Sequence, residues 1–401
     1  MKPVAVAMPI VRETGSDMPR GTPLLRLGFR PFYLAAAWLA MLAVPVWLLV
    51  WLGQLRWTAS VQPLLWHAHE MLFGFASAVI IGFLFTAGKA WTGLGTPRGA
   101  GLAALVLLWL AARVAALVAP YPVYALLDVS LLPVVAAILI RLLLRARNTR
   151  NLPLGLLLVL LALANLVFHL AVLKQVALAP MLPLQVALAL IVMIESVMAG
   201  RVIPGFTMSA TPGLKLKTRA WSERATLALT AMGLAWWIVA APGWPGATLL
   251  TLGAGLHAWR QWTWCPWVTR RRPILWILHA AYAWIWIGLG LLALAQLGLI
   301  TPSAGIHALA VGATGGLIIG MITRTARGHT SRPLNVSAAE VAAYVLVMAA
   351  AMLRVFAPLL APTLTLGALV AAALTWSAAF AIYLVVYTPW LCRARLDGRD
   401  G

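Results

Sequence analysis

Apolar stretches long enough to cross a bilayer, about 20 residues each, recur twelve times along this 401-residue chain. They fall at about 32–52, 67–88, 100–119, 121–140, 153–173, 180–200, 225–242, 244–260, 273–296, 304–323, 337–357 and 364–387. Between them charge is scarce. Only 10% of residues are Asp, Glu, Lys or Arg, where a soluble domain carries about 25%. Hydrophobic residues make up 63%, more than one water-exposed fold can hide. A soluble enzyme and a disordered chain are both excluded. The chain is expected to be an all-α, polytopic integral membrane protein of about twelve transmembrane helices, with the lipid bilayer as its surroundings.

The net charge of +21 would ordinarily point to nucleic acid, but its placement does not. With the N-terminus inside, 26 of the 30 Lys and Arg residues fall on inner segments. Only Arg56, Lys174 and Arg354 fall outside, and Arg113 lies within a span. That asymmetry is the positive-inside rule; it removes the case for a nucleic-acid partner and puts both termini in the cytoplasm. Pro3, Pro9, Arg12 and Glu13 interrupt the early apolar run, so no cleavable signal peptide is expected. Residues 1–28 read as a cytoplasmic N-terminal tail, 29–389 as a single transmembrane domain, and 390–401 as a basic cytoplasmic C-terminal tail. An inner loop at 201–223 divides six spans from six. Cys265 and Cys392 both fall on the reducing side, so no disulfide is expected.

The second and tenth spans echo each other. His69, Gly74 and Ile80-Ile81-Gly82 align with His307, Gly312 and Ile318-Ile319-Gly320 at a constant offset of 238. Both spans run from outside to inside, so the two histidines start at the same depth. Among the 20 tryptophans, several suit the membrane interface; Trp276, Trp284 and Trp286 lie inside the ninth span, where packing is the plain explanation and stacking on a planar cofactor the sharper one.

Ionisable groups inside spans are costly and mark functional sites by default. All seven histidines sit in or at the ends of spans, in two layers. His67, His69, His169 and His307 lie near the outer face; His257, His279 and His329 lie toward the inner face. Imidazole binds metals while neutral, which suits a low-dielectric site. On a helix, residues two apart point about 200° from each other, so His67 and His69 cannot share one metal unless the segment is unwound at the helix start. His67 and Glu70, three apart, can share a face, with the carboxylate orienting the imidazole. The echo then assigns His69 and His307 as opposed axial ligands of one haem. Three neutral imidazoles at 257, 279 and 329 would suit copper or zinc, with Glu195 in that inner layer to support a ligand or accept a proton. Asp128 and Arg113 are expected to form a structural ion pair. Arg30, Arg324 and Arg327 are candidates for holding a propionate or another anion, or for anchoring in lipid headgroups.

These motifs carry a family resemblance. Gly28-Phe29-Arg30-Pro31-Phe32, Trp66-His67-Ala68-His69-Glu70-Met71 with Phe73-Gly74-Phe75, Trp91-Thr92-Gly93, Arg201-Val202-Ile203-Pro204, and Thr323-Arg324 with Gly328-His329-Thr330 resemble the NnrS family over essentially the whole chain. The chain departs from that pattern at Gly88-Lys89-Ala90, where Pro-Asn often stands, and at Thr330-Ser331-Arg332, where Thr-Gly-Arg is common. The resemblance implies a multi-pass protein of the bacterial inner membrane containing haem b and copper. It implies nitric oxide or iron–nitrosyl species as ligands and relief of nitrosative stress in denitrification-type metabolism, without an established reaction.

Two other classes fit the layout less well. A haem–copper-oxidase-like respiratory subunit would also hold haem on its second and tenth helices, but the sixth span here carries Glu195 and the seventh no histidine. A secondary transporter would also suit six plus six helices, yet most ionisable residues cluster toward the two faces rather than the midplane.

Overall fold

The computed structural model describes residues 21–217 and 219–399. It is helical, with no strand among the described residues, as expected where backbone groups must be paired within each segment. Twelve long rods follow in order: α1 (Phe29–Trp51), α2 (Pro63–Thr92), α3 (Ala100–Val118), α4 (Tyr121–Arg145), α5 (Thr149–Val172), α6 (Met181–Ala210), α7 (Ala220–Val239), α8 (Trp244–Thr263), α9 (Pro273–Gln296), α10 (Pro302–His329), α11 (Ala338–Leu360) and α12 (Pro362–Leu391). Ten of these are long and apolar enough to cross a bilayer, which makes this a multi-pass membrane protein. The other two, α7 and α8, are 20 residues each. They are less apolar because α7 opens with Glu223-Arg224 and α8 carries His257, Arg260 and Gln261. Those three α8 side chains are buried, and Arg260 pairs with Glu223.

Local chemistry sets the rod ends. Pro63, Pro273 and Pro302 each open a rod, where the missing N–H costs nothing and φ is already helical. Ser337 and Glu340 form a reciprocal cap at the start of α11. The long inner loop expected at 201–223 is shorter than that. Helix α6 continues through Pro204 to Ala210, leaving 211–219 as the connection; neighbouring helices make an internal proline tolerable in a membrane.

Consecutive rods pack on one another, and α12 returns to pack against α1. The echoing rods α2 and α10 are innermost. In their apolar windows 78% and 72% of residues are buried, against 33% in α1 and α11. Helix α6 touches both of them. The echo also has a structural form. Directly after the aligned histidines, Glu70–Ala76 and Ala308–Gly315 are both wound as π-helix, a rare winding that gathers at functional sites.

Residues 1–20 of the expected N-terminal tail lie outside the described residues. Beyond them the chain is tied down: Leu27 is buried, and the Leu25 carbonyl accepts from the Gly99 N–H. At the other end, the Leu396 N–H donates to the Thr330 carbonyl, and Ser331 donates to Asp397. Cys265 and Cys392 are free thiols.

Candidate metal and cofactor sites

His67 and His69 leave α2 in different directions, as the helical turn requires, and each enters a different site.

His69 is fully buried in a polar cluster built by α2, α3, α4 and α5. Its Nε2 lies 3.2 Å from Asp128 Oδ2 and 3.0 Å from Asn165 Oδ1. The His169 Nε2 lies 3.1 Å from the same Asp128 oxygen. Each ring's other nitrogen meets a phenol: His69 Nδ1 is 3.0 Å from Tyr124 OH, and His169 Nδ1 is 2.8 Å from Tyr121 OH. Asn165 donates to Asp128 Oδ2 at 2.7 Å. Arg113 closes the cluster, donating to Glu70 at 2.8 Å and pairing with Asp128. The ion pair expected between Arg113 and Asp128 is therefore present, and it is shared with Glu70. Gly74 lets this happen, because a Cβ there would meet Glu70 Oε2 at 3.0 Å and the Arg113 guanidinium at 3.2 Å.

Two carboxylates against one guanidinium leave one negative charge in excess while both imidazoles are neutral. Buried charge must be balanced, so the cluster calls for a cation, either a proton or a metal. Among the described residues, His69, Asp128 and His169 are the group of three side chains whose ligand atoms converge within 4.8 Å. Two imidazole nitrogens, a carboxylate and the Asn165 amide oxygen form an N,O donor set of the kind copper(II) accepts. Phenols that fix the far ring nitrogens are the support that ligating histidines usually have. The residues fit a metal.

The second site is a largely apolar cavity of about 350 Å³ between the outer ends of α2 and α10, walled also by α1, α6, α11 and α12. His67 and His307 both line it, together with Arg354. His67 is stacked on Trp47, with ring centroids 4.5 Å apart, and its Nδ1 is buried without a hydrogen-bond partner among the described residues. His307 donates from Nδ1 to the Ser303 carbonyl at 2.8 Å. That bond fixes the tautomer and leaves Nε2 with its lone pair available. Arg354 donates to Ser303 Oγ at 3.0 Å. The volume lies in the range of small-molecule and cofactor sites. Two imidazoles, largely apolar walls and one arginine suit a haem and its propionates.

Several sequence expectations need correcting. The residue brought to one cavity with His307 is His67, whereas both ring nitrogens of His69 are engaged in the polar cluster. Glu70 does not orient His67; it meets Arg113 and lies 3.6 Å from His69 Nδ1. The inner histidines do not converge. His257 bonds Thr230 (2.9 Å) and Tyr282 (2.6 Å), His279 bonds Thr207 (3.0 Å), and His329 lies against Phe29 with centroids 5.5 Å apart. Both ring nitrogens of His257 meet hydroxyls, whereas only Nε2 of His279 does. Glu195 stands halfway along α6 rather than in the inner layer.

The arginine candidates divide in the same way. Arg30 is fully buried and caps the end of α12, donating to the Leu391 and Arg393 carbonyls at 2.7 and 2.8 Å. Arg327 is paired with Glu340. Arg324 lies over the Phe206 ring at 3.7 Å and lines a polar cavity at the inner end of the bundle with His329. The three tryptophans of α9 are packing residues. Trp276 meets Tyr344 edge-on, Trp286 donates to Gln261 at 2.8 Å, and Trp284 covers Gly312 so closely that no side chain would fit there.

Sequence reasoning passed over Arg354, Tyr121, Tyr124 and Asn165 as site residues. A signal for the last three existed: Tyr121, Tyr124 and Asp128 recur at helical spacing on α4, as do Asn165 and His169 on α5, so each set shares one face.

The family model described as NnrS protein matches residues 23–395 of this chain. No curated protein matches it.

Proposed function

The chain belongs to the NnrS family, and from that premise we propose that it is a haem- and copper-binding protein of the bacterial inner membrane that relieves nitric oxide stress. Haem b would be held between α2 and α10 by His67 and His307, and copper by His69, Asp128 and His169. The twelve rods then all span, with both termini in the cytoplasm.

The observation that carries this is the shared cavity: imidazoles from the two most deeply buried rods line one apolar space of about 350 Å³. Haem iron, held by those two imidazoles, would supply one-electron chemistry, and nitric oxide could bind it only where one imidazole leaves. The rest belongs to the chain. The Ser303 carbonyl holds the His307 ring in the tautomer that presents Nε2, and Trp47 holds the His67 ring flat against α1. Arg354 offers a guanidinium to an anionic group within a largely apolar wall.

Iron, haem and copper analysis of the detergent-purified protein tests this directly. One haem per chain, lost in His307→Ala and retained in His279→Ala, is expected. Protein without iron overturns the proposal.

A further inference from the structure

We infer that Glu195 is the midpoint of a hydrated proton path joining the inner end of the bundle to the His67–His307 cavity; only the identity of that end point rests on the haem reading above.

Glu195 lies on α6 about 21 Å from its first residue and about 22 Å from its last, at 1.5 Å per residue. It faces a small cavity of about 100 Å³ whose remaining lining is apolar except for Tyr33 and Thr314. Glu195 Oε2, the Tyr33 hydroxyl and the Thr314 hydroxyl are all buried and lack a well-formed hydrogen bond, Glu195 standing beside Thr314 and Tyr33 beside Thr325. Buried polar atoms without partners are rare and call for an explanation. A site of this size has room for water, since one needs only about 10–15 Å³ of such space, and three polar groups stand on its wall.

The cavity also lies between two others. Thr314 is part of the wall of the His67–His307 cavity as well. Phe83, Met198, Val202 and Met321 are shared with the polar cavity at the inner end, of about 780 Å³, which Arg324 and His329 line. One side chain's thickness therefore separates each space from the next. Thr314 belongs to the π-helical segment of α10, so the irregular turn that follows His307 also presents a hydroxyl to Glu195.

The other acids buried among these rods are tied to arginine: Glu70 and Asp128 to Arg113, and Glu340 to Arg327. No Lys or Arg lines the Glu195 cavity. Tyr33 of α1 is the one other titratable group there, and α2, α9 and α10 present none. A lone ionised carboxylate is costly in such surroundings, so the acid carries a proton at rest. It passes that proton to water on the Thr314 side and regains one from water on the Met198 side. Each transfer moves a single proton between oxygens.

Infrared spectroscopy of the purified protein tests this without reference to haem. The wild type is expected to show a protonated-carboxyl band that shifts within seconds of transfer to D₂O. Glu195→Gln should lack that band, and Glu195→Asp should restore one. A band undiminished in Glu195→Gln, or a Glu195 band in the wild type that resists D₂O for hours, overturns the inference. In haem-containing protein, proton uptake on chemical reduction should slow at least tenfold in Glu195→Gln with the absorption spectrum unchanged; an unchanged rate also overturns it. Absence of haem would refute the cofactor assignment alone, because the infrared result would still judge Glu195.

Discussion

His67 and His69 stand two positions apart on α2 and serve two different sites: the first is stacked on Trp47 at the edge of the cavity it shares with His307, and the second is buried between Asp128 and Tyr124. One helical turn thus feeds two candidate centres. The π-helical segment that begins at Glu70 lies directly beneath both.

Copper should follow the polar cluster rather than the inner histidines. His169→Ala and Asp128→Asn are expected to abolish bound copper, while His257→Ala and His279→Ala keep it. Tyr121→Phe removes only the phenol 2.8 Å from His169 Nδ1 and should weaken copper binding about 10–100-fold, the usual cost of losing such a support. Metal analysis after dialysis against a chelator series measures this. Retention of copper in His169→Ala would show that the cluster is a proton network instead.

Arg113 should matter for stability more than for cofactor content. It pairs with both Glu70 and Asp128, so Arg113→Met leaves two buried carboxylates without their guanidinium. Removing one partner of a buried pair costs about 3–5 kcal/mol. The variant should lose its fold at a clearly lower temperature in a thermal scan of detergent-solubilised protein. Adding Glu70→Gln and Asp128→Asn should recover much of that loss. An unaltered midpoint in Arg113→Met would contradict the charge count.

Arg354 should act on haem retention. Arg354→Met leaves the histidines untouched, and loss of a charge-assisted contact is worth about 1.5–3 kcal/mol, or roughly tenfold and more in rate. Transfer of haem to excess apomyoglobin should accelerate accordingly, with a smaller effect for Arg354→Lys. Equal transfer rates in all three proteins would remove Arg354 from the site.

Gly312 tests the packing of the central rod. Trp284 occupies the space a side chain would need, whereas nothing lies within 4 Å of a Cβ built at Gly290. Gly312→Val should cost about 1–3 kcal/mol by overpacking, and Gly290→Val much less. Comparing the two thermal midpoints checks it.

The multi-pass helical architecture was legible because bilayer thickness fixes span length. Even the innermost pair of rods was visible, as the echo of His69-Gly74 in His307-Gly312. Azimuth was not legible. Depth placed His257, His279 and His329 in one layer, but a layer does not say which neighbour a ring faces: His257 meets the Thr230 hydroxyl, His279 the Thr207 hydroxyl and His329 the Phe29 ring. The echo aligned His69 with His307, whereas the cavity is closed by α1, α11 and α12, whose packing exposes the opposite side of α2 and thus His67. Arg30 and Arg327 looked like free anion holders because their partners, Leu391 and Glu340, lie in other rods.

The central claim is that His67 and His307 hold one haem while His69 does not. The most direct measurement is the visible absorption spectrum and pyridine-haemochrome content of His67→Ala, His69→Ala and His307→Ala, purified side by side with the wild type. Loss of haem in the first and third, with full content in His69→Ala, is the predicted result. A spectrum lost in His69→Ala but kept in His67→Ala would contradict it.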